Sequence, residues 1–209
     1  MPIPPRANRP HLADLAIELA TPRLHLRAFR EADVEDLWPW VSDPAFPRQM
    51  SWAAHVDRAE TRDYILGTHA ARAEGSGLVW AIEHDGKAAG CVALEEIVWG
   101  RRAWRLDQAE LGYWLVPPLW GQGLMTEAVH AVVRFGFETL GLHKVVVGCL
   151  ADNDGSRRVI EKAGFRYIGR QEEDVYRDGA WFAHLRYELI VSELDDVTST
   201  RRFQRPGTV

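Results

Sequence analysis

Leu115-Val116-Pro117-Pro118-Leu119-Trp120-Gly121-Gln122-Gly123-Leu124-Met125-Thr126-Glu127-Ala128 is the stretch on which the reading of this chain turns. An apolar run stops at two prolines, and a Gly-x-Gly turn opens directly into a long helical pattern. Proline cannot continue a strand ladder, and glycine lets the backbone turn tightly and approach a ligand closely. No Ser, Thr, Asp or Asn lies between Pro118 and Gly123 to cap the helix start. Its first backbone N–H groups therefore lack a nearby side-chain partner, a role that an anion such as a pyrophosphate would fill. The glycines complete neither the Gly-x-Gly-x-x-Gly fingerprint nor a P-loop. On local pattern alone an ordinary strand-to-helix turn is the alternative.

Composition narrows the classes. The 209 residues are 46% hydrophobic and 26% charged, an ordinary globular balance with ample apolar material for one core. A net charge of -5 argues against a nucleic-acid partner held by a basic surface and is compatible with a cationic substrate. Cys91 and Cys149 both sit in apolar, strand-like runs and read as reduced thiols of a cytoplasmic protein. No apolar run approaches the ~20 residues of a membrane span, and Met1 to Pro10 lacks the apolar core of a signal peptide. The scattered histidines form no metal-ligand spacing, so no metal is expected.

Outward from the glycine turn, the pattern predicts a helix over 124–140 with Glu127, His130, Arg134 and Glu138 as its wet stripe. Trp104 to Val116 is the strand before it, and His143 to Leu150, with Val145-Val146-Val147, is a buried strand after it. A helix over 153–163 starts at Asp152 or Asn153 as N-cap and ends before Gly164. Upstream, a strand over 23–29 precedes helices over 31–41 and 57–74, separated by a proline-containing loop. Hairpins turn at Asp85-Gly86 and Asp178-Gly179. Residues 1–20 are expected as a mobile extension, 21–192 as one catalytic-size domain, and 193–209 as a polar tail. The order β-α-α-β-β-β-α-β-α-β-β implies a mixed α/β sheet with helices on both faces.

That order, with Glu110-Leu111-Gly112-Tyr113-Trp114-Leu115, the Trp120 to Ala128 turn, and Asn153-Asp154-Gly155-Ser156 leading to Glu161-Lys162-Ala163-Gly164-Phe165, closely resembles the GNAT N-acetyltransferase superfamily. Within it, the branch holding the ribosomal-protein N-terminal acetyltransferases is the nearest match. The resemblance implies an α/β GNAT fold: one mostly antiparallel sheet of about seven strands with a V-shaped split between its central strands. It further implies that acetyl-CoA lies in that split. The backbone of Trp114, Leu115 and Val116 would pair with the pantetheine arm. The turn Gly121, Gln122, Gly123, Leu124, Met125 and Thr126 would hold the pyrophosphate, Asn153 would reach the pantetheine amides, and Ser156 would stand at the sulfur. The partner is then an amine acceptor, a protein N-terminus or a small molecule, and a homodimer is admitted by resemblance alone.

The implied reaction is direct attack of a neutral amine on the thioester, which needs a proton acceptor and a donor to the departing thiolate. Glu110 is the favoured acceptor, with Glu95, Glu96 or water as rivals. Many GNAT enzymes carry a tyrosine four residues before the Gly-Phe pair, but here that position is Ile160. Ser156 is the alternative donor, against a plain helix first-turn role. Pro118 stands where many members have Arg or Gln, which removes a side-chain contact and leaves the backbone cradle. Trp38, Trp40, Phe46, Met50 and Trp52 lie in the region that roofs the acceptor channel in this fold, though packing alone would explain them. Besides peptide N-terminal acetylation, two readings stay open. One is acetylation of a small amine, to which Glu95, Glu96, Asp107 and Glu110 would suit a cation. The other is an acyl-CoA sensor that has lost its chemistry.

Overall fold

The computed structural model describes residues 9–194, so the expected tail from Asp195 onward and the first eight residues lie outside the described residues. Eight strands form one sheet: β1 (Leu19–Ala20), β2 (His25–Arg27), β3 (Leu78–His84), β4 (Lys87–Arg101), β5 (Trp104–Leu115), β6 (Lys144–Leu150), β7 (Arg166–Arg177) and β8 (Ala180–Ile190). Among the described residues four α-helices accompany them: α1 (Asp33–Val41), α2 (Arg58–Glu74), α3 (Leu124–Glu138) and α4 (Asp154–Lys162). The sheet order is β1-β2-β3-β4-β5-β6-β8-β7. Among the described strands, β5 and β6 are the one parallel pair. The strand beyond the seven expected is β1, whose two residues are too short to show a period.

Local chemistry sets the boundaries. The Asp57 side chain accepts from Glu60 N–H at 2.9 Å to start α2, and Gly75 at φ 79° ends it. Asp85 at φ 51° and Gly86 at φ 76° make the β3–β4 turn, where two successive positive φ values match strand twist. Residues 9–20, read as an extension, lie against the core. Leu12 and Ile17 are buried, and Arg72 donates to the carbonyls of Leu12, Ala13 and Leu15.

Helices cover both faces. Trp80 of β3, wholly buried, meets Phe135 of α3 edge-on at 5.4 Å between ring centroids, so the even positions of β3 face α3. On the opposite face the Tyr64 hydroxyl of α2 reaches Cys91 Sγ of β4 at 3.4 Å. The β5–β6 register holds at Gln108–Lys144, Ala109–Val145 and Glu110–Val146 and goes no further. Beyond Glu110 the two strands part, which is the V-shaped split.

Candidate active site

The turn after β5 is built as its sequence requires. Pro117–Leu119 form a short 3-10 turn, Gly121 takes φ 74°, and Gly123 takes φ 77° as the N-cap of α3 with no capping side chain. The first helical bond, Glu127 N–H to the Gly123 carbonyl, spans 3.1 Å. The N–H groups of Leu124, Met125 and Thr126 precede that bond and point from the positive end of the helix. Glu127, which would otherwise crowd an anion there, is drawn aside. Its carboxylate accepts from Thr21 Oγ1 at 2.6 Å, Arg23 N at 3.0 Å and Arg23 Nε at 2.7 Å. Burial works against that charge, but these bonds outweigh it and hold the Glu127 pKa below the ordinary carboxylate range. Arg23 Nη1 also bonds the Gln122 carbonyl at 2.9 Å, fixing the peptide between the two glycines. Sequence reasoning missed this clamp because its members lie a hundred residues apart.

The end of β5 is partly committed within the fold. The Leu115 carbonyl accepts from Trp120 Nε1 at 2.5 Å, and Val116 N–H donates to the Ala89 carbonyl at 2.8 Å. These two residues therefore shape the strand end through bonds of their own, while the strand edge from Leu111 to Trp114 borders the split.

Across the split, α4 begins at Asn153, whose Oδ1 accepts from Ser156 N–H at 2.9 Å. The N-cap role of Asn153 thus locks the first turn of α4 and the place of Ser156. Ser156 Oγ lies 2.8 Å from the hydroxyl of Tyr113 on β5. Tyr113 lies two residues after buried Leu111, and strand alternation places it on the face towards α4. Burial raises the Tyr113 pKa, and its bond to Ser156 works the other way. Ile160 is wholly buried in the core, so its position offers no donor to the split. The neighbouring Cys149 thiol has its pKa raised, first by burial, with the Ser156 hydroxyl opposing.

The opposite face of the split is lined differently. Glu95 and Glu110 stand in register across β4 and β5, on the face of Gly112 and Trp114. The Glu95 carboxyl lies over Gly112, where a Cβ would come within 3.0 Å of its Oε2. Burial raises its pKa, and the charges of Glu110 and Glu96 raise it further. Glu110 accepts from Arg186 Nη1 at 3.0 Å. Glu96, exposed at the surface as Glu95 also is, sits at a bulge with φ 48° and has no pairing position opposite Glu110. Asp107, expected among carboxylates suited to a cation, is instead buried in ion pairs with Arg9 and Arg105. Of the aromatic set, Trp52 and Phe46 reach this face. Their rings lie 6.0 and 5.7 Å from that of Trp114, and Trp52, His55, Tyr64 and Trp114 line a cavity of about 90 Å³. Trp38 lies instead beneath the guanidinium of Arg58. Arg177, from the β7–β8 hairpin, bonds the carbonyls of Met50 and Trp52 and pins the loop that carries this wall.

Among the described residues no cluster of three or more His, Cys, Asp and Glu side chains could hold a metal, and no helix is long and apolar enough to cross a membrane. The family model described as acetyltransferase (GNAT) domain matches residues 23–166. A probable N-acetyltransferase of Bacillus subtilis, YjcK, is 40% identical over 100 residues, 48% of this chain and 53% of that protein. The ribosomal-protein-serine acetyltransferase of Escherichia coli is 25% identical over 170 residues, 78% of this chain and 92% of that one. The solved structure of Mycobacterium smegmatis RimJ in complex with CoA-disulfide superposes with a TM-score of 0.70 at 25% identity, covering 82% of this chain and 83% of that one. With the matched model spanning the uncapped glycine turn, the split and α4 together, this chain belongs to the GNAT acetyltransferase family.

Proposed function

We propose that this protein transfers the acetyl group of acetyl-CoA to a primary amine, namely the α-amino terminus of a peptide or protein. The observation that carries the reading is the uncapped start of α3 at Gly123 beside the β5–β6 split, with Ser156 at its far wall. The N–H groups from Gly121 and Gln122 through Thr126 would take the pyrophosphate, and the Trp114 to Val116 strand end and Asn153 would border the pantetheine arm. Acetyl-CoA supplies the activated acyl carbon. An α-amino group, with a pKa near ~8, is neutral often enough at physiological pH to attack it with modest help. The Glu95–Glu110 pair would accept the amine proton. Glu95 stands opposite Glu110 in the register, and its proton affinity is raised by burial and by the charges of Glu110 and Glu96. Ser156 would donate to the departing sulfur. The likeness to a ribosomal-protein acetyltransferase supports a protein acceptor. The free thiols of Cys91 and Cys149 suit a cytoplasmic setting.

The open pair of carboxylates also favours a second reading, acetylation of a small cationic amine. A thiol-release assay with acetyl-CoA against short peptides, aminoglycosides and polyamines separates the two. Peptide-dependent release supports the proposal, and release with small amines alone refutes the peptide assignment. CoA binding with no turnover across the panel would favour the sensor reading over the transferase.

A further inference from the structure

The contact between Tyr113 and Ser156 constrains the direction of a single proton. Ser156 is the third residue of α4, its N–H tied to Asn153 Oδ1 at 2.9 Å, so the side chain springs from a fixed backbone. Tyr113 lies three residues past the last β5–β6 pair, where the strands have begun to part. Its hydroxyl oxygen sits 2.8 Å from Ser156 Oγ and 3.2 Å from the Ser156 carbonyl oxygen. A phenol and a serine hydroxyl carry one proton each. Either Tyr113 gives its proton to the carbonyl and Ser156 donates back to the phenol, or Tyr113 donates to Oγ and leaves the Ser156 proton free for a third group. Both arrangements use the 2.8 Å contact, and across it the phenol, by far the stronger acid of the two hydroxyls, is the better donor.

From this geometry we infer that Tyr113 is a positioning residue, which donates to Ser156 Oγ and thereby turns the serine proton towards the sulfur of the acyl donor. The inference rests on the acetyl-transfer reading above. When the amine attacks, the C–N bond forms and the C–S bond breaks. The electron pair of that bond passes to sulfur, which leaves as a thiolate hydrogen-bonded by the Ser156 O–H; the serine keeps its proton, and the thiolate takes one from water on release. The amine proton goes to the carboxylates on the opposite face. No proton leaves Tyr113: burial raises its pKa, so it stays a phenol and acts by polarising Ser156. The tyrosine missing at Ile160 is in this sense compensated from β5, one step behind the donor.

The test is a double-mutant cycle on the full chain with Tyr113→Phe, Ser156→Ala and the two combined. It reads kcat, KM for acetyl-CoA, the solvent deuterium isotope effect and the Kd for CoA. Tyr113→Phe is expected to lower kcat about tenfold, the size of one neutral hydrogen bond, with KM within twofold. In the Ser156→Ala background it should cost nothing further, and its solvent isotope effect should match that of Ser156→Ala. Ser156→Thr, which keeps a hydroxyl, should stay sensitive to Tyr113→Phe. An equal loss in both backgrounds, or a raised KM with kcat intact, would show a packing role and overturn the inference. Undiminished turnover in Ser156→Ala would remove the donor and this inference with it. Wild-type protein that neither binds CoA nor turns over would instead defeat the acetyl-transfer reading itself. Should Tyr113→Phe fail to fold, 3-fluorotyrosine at position 113 keeps the shape with a stronger donor; an unchanged isotope effect there would likewise overturn the inference.

Discussion

Glu95 and Glu110 face each other across β4 and β5, and among the described residues it is Glu110 that has an arginine against it, Arg186 at 3.0 Å. Burial and the neighbouring carboxylates raise the Glu95 pKa, so its base form is lost at a higher pH than for an ordinary glutamate. The kcat/KM profile should therefore fall on the acid side with an apparent pKa above the usual carboxylate value. Arg186→Met removes the nearest positive charge and should move that limb to higher pH. Glu95→Gln should lower kcat by about a hundredfold or more and abolish the limb. A limb unmoved in both variants assigns the proton to water.

The same shift carries a stability sign. A carboxyl whose folded pKa is raised favours the folded state when protonated, and that contribution is lost as pH rises through the folded value. Glu95→Gln is therefore expected to raise Tm near neutral pH while it lowers activity. Thermal unfolding at acid and neutral pH checks this, and a Tm gain confined to acid pH would contradict it.

The clamp of Arg23 on Glu127 leads to a prediction about the cofactor. Arg23→Ala frees a carboxylate one turn into the helix whose N-terminus would hold the pyrophosphate. The Kd for CoA should rise about tenfold, and more steeply at low salt. Glu127→Gln added to Arg23→Ala should recover much of that loss in calorimetric titrations. The Glu127 pKa is lowered by its partners, so its stability contribution is present above the ordinary carboxylate range and fades as pH falls.

Two glycines are expected to respond differently to alanine. At Gly90 a Cβ would sit 2.2 Å from the Trp114 carbonyl oxygen, so β4 and β5 would have to separate. Gly90→Ala should cost about 3 kcal/mol or more in urea unfolding. At Gly123 a Cβ meets only Arg23 Nη2, at 3.8 Å, and the cost is the left-handed backbone at φ 77°, about 1–2 kcal/mol. Gly123→Ala should accordingly weaken CoA binding with a milder loss of stability.

Arg27 and Asp33 form a buried bidentate pair at 2.7 and 2.8 Å, with Glu83 also on Arg27 Nε at 2.6 Å. Asp33→Ala leaves the guanidinium short of a partner and should cost about 3–5 kcal/mol in chemical denaturation, without changing KM.

The elements legible in the sequence were those fixed by local chemistry. The glycine turn, the Asp-Gly hairpins and the capped start of α4 each depend on residues within four positions of one another. The relationships that were not legible depend on the fold. Tyr113 meets Ser156 only because β5 and α4 converge at the split, and Arg23 meets Glu127 only because the sheet edge folds back on α3. Asp107, an acid that the sequence groups with those suited to a cationic amine, is instead paired to Arg9, from a segment with little periodicity. Glu95 and Glu110 were both visible as acids, but the register that opposes them and the arginine that distinguishes them come from strand pairing.

The most direct test of the central claim is to incubate the protein with acetyl-CoA and a peptide carrying both a free α-amine and a lysine, and to locate the acetyl group by fragmentation mass spectrometry. Acetyl on the α-amine, absent from the lysine and stoichiometric with released CoA, is the predicted result. Acetyl on the lysine alone, or none on either amine, would contradict it.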